Sequence, residues 1–194
     1  MTKISLFLPI ILSLFLLGCN SQPTPSSHYY MLNQQQESDG VYGVSPIKDI
    51  QLNLPEYLKQ PNLVLQLSEH ELSYAYYHTW AESLDDAVIK SLHQDLRAML
   101  KSQSKKTEKT NQARVNLIIN IDHFYATFNS DVILAGNYTI VNSQQTKALS
   151  PEYNFTFKAN IEADGYPHSV AKMRGLVKEL AQDILIHYQA LNTP

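Results

Sequence analysis

The architecture of this chain follows mainly from one stretch, Val115-Asn116-Leu117-Ile118-Ile119-Asn120-Ile121-Asp122. Apolar and polar residues alternate along this stretch. One set of alternate positions holds Val115, Leu117, Ile119 and Ile121, and the other set includes polar Asn116, Asn120 and Asp122. Because successive side chains of a strand point to opposite faces, this alternation predicts a half-buried β-strand. Two later stretches repeat it, with inward residues Val132, Leu134, Tyr138, Ile140 and then Tyr153, Phe155, Phe157, Ala159, Ile161. Three such strands are typical of an antiparallel sheet with one polar face.

Earlier in the chain, shorter apolar runs predict further strands. They are His28–Leu32, Ile47–Leu54, Asn62–Leu67 and Glu71–Tyr77, with the last two paired as a hairpin. Pro55 ends the second run, and Pro55–Leu58 is expected to form one helical turn, since proline is tolerated at a first helical position.

Helical periodicity appears on either side of the three central strands. One apolar stripe comprises Leu84, Val88, Leu92, Leu96, Met99 and Leu100, and a second comprises Val170, Met173, Val177, Leu180, Ala181 and Ile184. Ser83 with Asp86 resembles a capping box at the start of the first helix. The order of elements predicts an α+β fold, a mixed and mainly antiparallel sheet with two long helices packed on one face.

The amino terminus has the pattern of a secretory signal. Met1–Lys3 carries one positive charge, and Ile4–Leu17 is an uncharged run of 14 residues. A membrane span needs about 20 apolar residues, so this run predicts a signal-peptide core rather than a spanning helix. It ends at Leu16-Leu17-Gly18-Cys19, which resembles a bacterial lipobox, and Cys19 is the only cysteine of the chain. The alternative is an uncleaved anchor helix with an incidental cysteine.

This pattern divides the chain into three parts. Residues 1–18 are predicted to be a lipoprotein signal peptide, residues 19–27 a lipidated cysteine with a flexible Pro/Ser linker, and residues 28–194 one folded domain. Several acyl chains on Cys19 would hold the protein firmly at a bilayer. Because residue 20 is Asn rather than Asp, the expected location is the outer membrane, on its periplasmic face.

Composition argues against several classes of function. The 194 residues carry 15 Lys and Arg against 18 Asp and Glu, a net charge of −3, so no general attraction for nucleic acid is expected. A single cysteine excludes an internal disulfide and the Cys-rich metal frameworks. No catalytic motif is present, and we expect no catalytic residue, cofactor or metal. The densest metal-like group is His70 and His78 with Glu69 and Glu71, more simply explained as polar residues around a hairpin turn.

The segment Ser73–Trp80 contains more aromatic residues than any other part of the chain, Tyr74, Tyr76, Tyr77 and Trp80 among them. One interpretation is that alternate rings close the core, with Trp80 beneath the start of the first helix. The other is a surface patch that binds a partner chain or lipid, since Tyr and Trp anchor interfaces while tolerating water at one end.

Two segments, LPEYLKQPNLV at Leu54–Val64 and HTWAESL at His78–Leu84, resemble the PqiC/YmbA-type family of ABC-transport auxiliary lipoproteins. Leu54–Val64, LPEYLKQPNLV, is similar to the LP-x-YL-x-x-P-x-[LIV]-V stretch of that family. His78–Leu84, HTWAESL, is similar to its R-W-A-E-P-L signature, with Thr79 in place of Arg and Ser83 in place of Pro. The opening strand with Tyr30-Met31-Leu32, the lipobox and the two helices also fit.

The resemblance implies a non-enzymatic outer-membrane lipoprotein of an MCE-type lipid transport system. Proteins of this kind are thought to receive the tip of a periplasm-spanning MCE-domain protein and to assemble as a homo-oligomeric ring. The candidate interface residues are Pro55, Tyr57, Pro61, Tyr74, Tyr76, Tyr77 and Trp80, with a role in folding as the competing explanation for each. A periplasmic lipid-binding carrier and, third, a periplasmic hydrolase are the alternative functions.

Overall fold

The computed structural model describes residues 25–33, 47–104, 114–142 and 150–191, with no side-chain description for 102–104. The predicted signal peptide, Cys19 and the linker as far as residue 24 lie outside these residues. The strands are β1 His28–Tyr30, β2 Ile47–Asn53, β3 Asn62–Ser68, β4 Glu71–Trp80, β5 Val115–Ala126, β6 Asp131–Asn142 and β7 Glu152–Asn160. The helices are α1 Leu84–Ser104 and α2 Tyr166–Leu191, and a 3-10 turn spans Glu56–Leu58.

The seven strands form one mixed sheet in the order β1-β4-β3-β5-β6-β7, with β2 paired to β5 outside this path. The β3–β4, β5–β6 and β6–β7 pairs are antiparallel, and the β1–β4, β2–β5 and β3–β5 pairs are parallel. The predicted α+β fold is confirmed. Both β2 and β3 lie on the same side of β5, β2 along its first half and β3 at its last residue, Ala126.

The three central strands bury the residues that their alternation predicted. Val115, Leu117, Ile119 and Ile121 of β5 are all buried, as are Val132, Leu134, Tyr138 and Ile140 of β6. On the open face, Asn53, Asn120, Asn137 and Asn154 are successive cross-strand partners on β2, β5, β6 and β7. The amide of Asn53 donates to Asn120 at 2.8 Å, and that of Asn120 donates to Asn137 at 2.6 Å. This row of asparagines stabilises the polar face of the sheet.

β5 continues beyond Asp122, where the predicted alternation ends. A β-bulge there changes which residues of the strand face the core. The register with β6 shifts between Ile121 and His123, and the buried residue after the shift is Phe124 instead of His123. Opposite the bulge lies Gly136, where an added Cβ would stand 2.0 Å from the carbonyl oxygen of Asn120. The close approach of the two backbones therefore requires glycine at this position.

Both predicted helices are present, and α2 is longer than expected. Its first residues follow Gly165, which has a φ of 103° and whose carbonyl accepts hydrogen bonds from the amides of His168 and Ser169. At the start of α1, the Ser83 hydroxyl donates to the Asp86 carboxylate at 2.7 Å, and the Ser83 carbonyl accepts from the amide of Ala87. In a capping box each of these side chains would bond to the backbone amide of the other residue, whereas here the two residues interact through their side chains.

The two helices pack on each other and on the same face of the sheet. α2 contacts β5, β6 and β7, whereas α1 contacts α2 and β2. Between the helices, two hydrogen bonds of 2.7 Å join the guanidinium of Arg174 to the carboxylate of Asp95, which is buried. A bidentate pair of this kind fixes the relative position of two helices.

Candidate functional site

The 3-10 turn after β2 is attached to the central sheet by Tyr57. Its hydroxyl donates a hydrogen bond to the backbone carbonyl of Asp122, at the β5 bulge. The Tyr57 ring also packs against that of Tyr125, with 6.4 Å between the centroids. Burial, followed by the nearby Tyr125 and Asp122, raises the pKa of Tyr57 to about 12, so the phenol stays protonated and continues to donate. The geometry gives Tyr57 a role in the fold.

The second half of this turn connects to the end of β4. The carbonyl of Pro61 accepts a hydrogen bond of 2.7 Å from the amide of Trp80. The side-chain amide of Asn62 reaches the carbonyls of Ala75 and Tyr76, each at 3.3 Å. Asn62 was not singled out from the sequence, because its two acceptors are more than ten residues away along the chain. Pro61 itself is exposed and Pro55 is half-buried.

Those two carbonyls belong to a wide irregularity of β4. Asn62 pairs with Thr79, whereas Val64 pairs with Tyr74, so β4 advances five residues while β3 advances two. The irregularity divides the aromatic segment. Trp80, with 6% of its surface exposed, lies in the core, while Tyr74 is 48% exposed and Tyr76 80% exposed.

Trp80 must therefore be removed from the candidate surface residues, since its ring packs in the core as the alternative interpretation held. Tyr74, Tyr76 and Tyr77 remain on the surface, and the rings of Tyr76 and Tyr77 meet edge to face at 4.9 Å. Tyr29 of β1 and Leu72 of β4 are also exposed. We call Tyr29, Leu72, Tyr74, Tyr76 and Tyr77 the tyrosine patch.

Next to this patch, β1 is held to β4 by a stack of rings. His28 stacks on His78 with 5.1 Å between centroids, and His78 stacks on Tyr166 of α2 at 3.6 Å. The hydroxyl of Tyr30 lies 2.8 Å from Nδ1 of His78. Burial, and then the neighbouring His28, lower the pKa of His78, so its neutral form is favoured in the folded protein.

The structure does not bring the metal-like residues of the sequence together. His70 lies at the turn between β3 and β4, and His78 lies near the opposite end of β4. Among the described residues, no group of three or more His, Cys, Asp or Glu side chains is arranged to hold a metal ion. Nor does any helix in this part of the chain have the length and apolar character to cross a bilayer.

A polar cluster that the sequence did not indicate joins the sheet to α2. The hydroxyl of Tyr138, which has no exposed surface, donates to the Asp183 carboxylate at 2.6 Å and lies 2.7 Å from Nδ1 of His187. Burial and the Asp183 carboxylate raise the pKa of Tyr138. The phenol therefore remains neutral, and the cluster is a structural link between β6 and α2.

A groove of about 800 Å³ runs between the two helices and the residues after β1. Met31, Leu32, Met99 and Val170 contribute apolar surface, and the Asp95–Arg174 pair contributes charged surface. Gly175 also lines the groove, with no atom within 4 Å of the place where its Cβ would stand. The groove has the size of a small-molecule site. The charges of Asp95 and Arg174 neutralise each other, and Lys178 adds one positive charge to the lining.

Comparison with known proteins identifies the family. The sequence model of the ABC-type transport auxiliary lipoprotein component family matches residues 33–185. The chain belongs to this family. The resemblance found in the two sequence segments is thereby confirmed, and the matched range includes both the 3-10 turn and the tyrosine patch residues of β4.

Individual members agree with this assignment, and two solved structures share the fold. The intermembrane transport lipoprotein PqiC of Escherichia coli (strain K12) is 23% identical over 180 residues, covering 92% of this chain and 94% of that protein, and the Shigella flexneri protein matches equally. A crystal structure of an uncharacterized protein superposes with a TM-score of 0.64 at 18% identity, covering 82% of this chain and 97% of the other. The crystal structure of a Xanthomonas campestris protein superposes with a TM-score of 0.61 at 13% identity, covering 81% of this chain and 92% of the other.

The predicted interface residues differ in how far the structure exposes them. Of the predicted interface residues, Tyr74, Tyr76, Tyr77 and Pro61 are exposed, Pro55 and Tyr57 are half-buried, and Trp80 is buried. Leu72 was missed because a leucine beside a turn carries no distinctive pattern. Only the pairing of β1 with β4 places Tyr29 near the others.

Proposed function

We propose that this chain is an outer-membrane-anchored component of an MCE-type intermembrane lipid transport system. Acyl chains on Cys19 hold it to the membrane, with the folded domain on the periplasmic face. In this role it docks the periplasm-spanning MCE-domain protein, assembles as a homo-oligomeric ring and supports membrane integrity, without catalysing a reaction.

One observation carries the proposal, the family match over residues 33–185. It is supported by the similarity, over 92% of this chain, to proteins named intermembrane transport lipoproteins. The transport function is brought to this chain from those relatives, and the anchor from the lipobox ending in Cys19. Asn53 and Asn154, the exposed ends of the row of asparagines, supply surface on which a partner or a second copy would bind.

The anchor is tested by expressing Cys19→Ser and, as a matched control, Ser21→Ala from the native locus. We expect the control to remain in the outer-membrane fraction and to preserve envelope integrity. The Cys19→Ser protein is expected in the soluble periplasmic fraction. Cells that produce it should be as sensitive to detergents as a deletion strain. A Cys19→Ser protein that stays bound to the membrane and is fully active would overturn the anchor.

The docking role is tested with detergent-solubilised mature protein. We expect it to sediment as a closed oligomer and to be captured by the MCE-domain protein of the same transport system. Because exposed tyrosines are common anchors of protein interfaces, the same experiments on Tyr74→Ser show whether the patch contributes. A protein that remains monomeric and does not bind the MCE-domain protein would contradict the docking role.

The groove between α1 and α2 favours a second candidate function, a periplasmic carrier that binds lipid within its own fold. Its volume lies within the usual range for ligand sites. Native mass spectrometry of the purified domain would then show retained phospholipid, and Ala171→Trp, which fills the groove, would remove it. Ile186→Trp, on an exposed position of α2, is the control. Wild-type protein that carries no lipid would eliminate this candidate.

A further inference from the structure

We infer that the tyrosine patch rests on the headgroup region of the same bilayer in which the acyl chains are inserted. This inference rests on the proposed lipidation of Cys19 and adds to it an orientation of the domain. The patch then forms a second, non-covalent contact that turns the β3–β4 hairpin toward the membrane.

The first argument is the placement of the rings on one side of the sheet. Tyr74 and Tyr76 flank the buried Ala75, so strand alternation directs them away from the core. Tyr29 lies opposite Thr79, between the His28 and Tyr30 positions that face the ring stack, and is 71% exposed. Exposed apolar residues from two neighbouring strands thus share the outward face.

The second argument is the length and direction of the tether. Cys19 precedes His28 by 28 − 19 = 9 residues, which span at most about 30 Å when extended. β1 pairs in parallel with β4, with His28 opposite His78. His28 is therefore the end of β1 that is nearer to the part of β4 preceding His78, where Tyr74, Tyr76 and Tyr77 lie. The same short tether that reaches the bilayer starts beside the patch, whether or not another protein is bound.

The third argument is chemical. Tyrosine is enriched where membrane meets water, because its ring is apolar and its hydroxyl remains hydrated. The hairpin tip next to Leu72 carries Glu69 and Glu71, and no Lys or Arg lies between Gln60 and Ala81. Attraction to anionic lipid therefore does not drive the contact. We expect the patch to prefer zwitterionic headgroups and to bind less well as the fraction of anionic lipid rises.

Quenching by brominated lipid tests the orientation in the acylated mature protein. Tyr76→Trp and, as a control at a similarly exposed position of α2, Ile186→Trp are reconstituted in vesicles of phosphatidylcholine and phosphatidylethanolamine brominated near the headgroup. We expect quenching of the Tyr76→Trp emission beyond that of wild-type protein, whose Trp80 is buried, and no added quenching for Ile186→Trp. Equal quenching of the two variants by the brominated lipid would overturn the inference.

Partition of the non-acylated protein supplies the second measurement. The mature chain with Cys19→Ser is floated with the same vesicles, and Tyr74→Ser with Tyr76→Ser is expected to lower its partition coefficient about tenfold. Ile186→Ser should leave it unchanged. An unchanged partition coefficient of the tyrosine variant overturns the inference. If that variant also loses the oligomer or the capture by the MCE-domain protein, the patch belongs to a protein interface.

These outcomes are separate from failure of the anchor. If mass spectrometry of the native protein shows no acyl chains on Cys19, the proposed anchor fails, while flotation still reports whether the patch binds lipid. If the acyl chains are present and the patch neither partitions nor is quenched, the anchor stands and the inference fails.

Discussion

Tyr138 on β6 and Tyr76 on β4 are both tyrosines on strands of one sheet, yet Tyr138 has no exposed surface and Tyr76 keeps 80% of its surface exposed. The difference reflects what covers each strand. α2 packs on β5, β6 and β7, whereas the outward face of β4 and β1 has no helix over it among the described residues. Apolar residues on the helix-covered face therefore stabilise the fold, whereas the exposed tyrosines of β1 and β4 are available for contact with something else.

The largest expected effect lies in the helix-covered half, at Gly136→Ala. Because the new Cβ would stand 2.0 Å from a backbone oxygen, we expect the free energy of unfolding to fall by about 3 kcal/mol or more. Urea denaturation of the folded domain measures this change.

Gly175→Ala on α2 is the matched control. Its added methyl group meets no atom within 4 Å, and alanine is the better helix former, so stability should rise by about 0.5–1 kcal/mol. If both glycine variants behaved alike, the close β5–β6 approach would not be what requires glycine at position 136.

An intermediate effect is expected where the two halves meet, at Tyr57→Phe. The substitution removes the hydrogen bond to the Asp122 carbonyl at the β5 bulge, and a bond of this kind contributes about 1 kcal/mol. Thermal or urea unfolding would show the loss. Tyr77→Phe, which changes an exposed ring, should leave stability within about 0.5 kcal/mol. If Tyr57→Phe kept its stability and instead broke the oligomer, Tyr57 would belong to an interface.

The smallest expected effect is a pH dependence in the β1–β4–β3 half. His78 is faced by His28, Tyr30 and Tyr166, and its pKa is lowered by burial and by His28. The unfolded chain therefore binds the proton more readily. The stabilisation is complete above the unfolded pKa of about 6.5 and is lost as the pH falls through the lowered pKa.

Melting temperatures between pH 7.5 and pH 5.5 check this expectation. The wild-type protein should lose stability on acidification, and His78→Gln should lose less. His70→Gln, an exposed position at the hairpin turn, should follow the wild-type curve. If His78→Gln kept the full wild-type dependence, other groups would be responsible for it.

Much of the secondary structure was predictable because its signals are local. The Val115–Ile121 alternation and the Leu84–Leu96 stripe depend only on strand and helix periods, and both are confirmed. The bulge after Ile121 was not predictable, since it requires a partner strand with glycine at the facing position. β5 therefore continues past Asp122, and α2 extends beyond both ends of its apolar stripe.

The candidate surface was predicted less well than the fold. The sequence indicated the aromatic segment and left two roles open, but Trp80 and Tyr76 take opposite ones, because β4 advances three residues more than β3 between them. Tyr57 was a candidate interface residue with a role in folding as the alternative, and its hydroxyl supports a strand 65 positions away. Such long-range contacts leave no periodic trace in a sequence.

By itself, the sequence determined the α+β class, the strand and helix segments, the family resemblance and the single cysteine available for an anchor. These follow from local periodicity and from motifs whose residues are neighbours in the chain. Only the tertiary structure decided which tyrosines are exposed, that β1 begins beside them, and that β2 and β3 share one side of β5. Exposure and strand pairing depend on residues far apart in sequence, so they are fixed only when the chain packs.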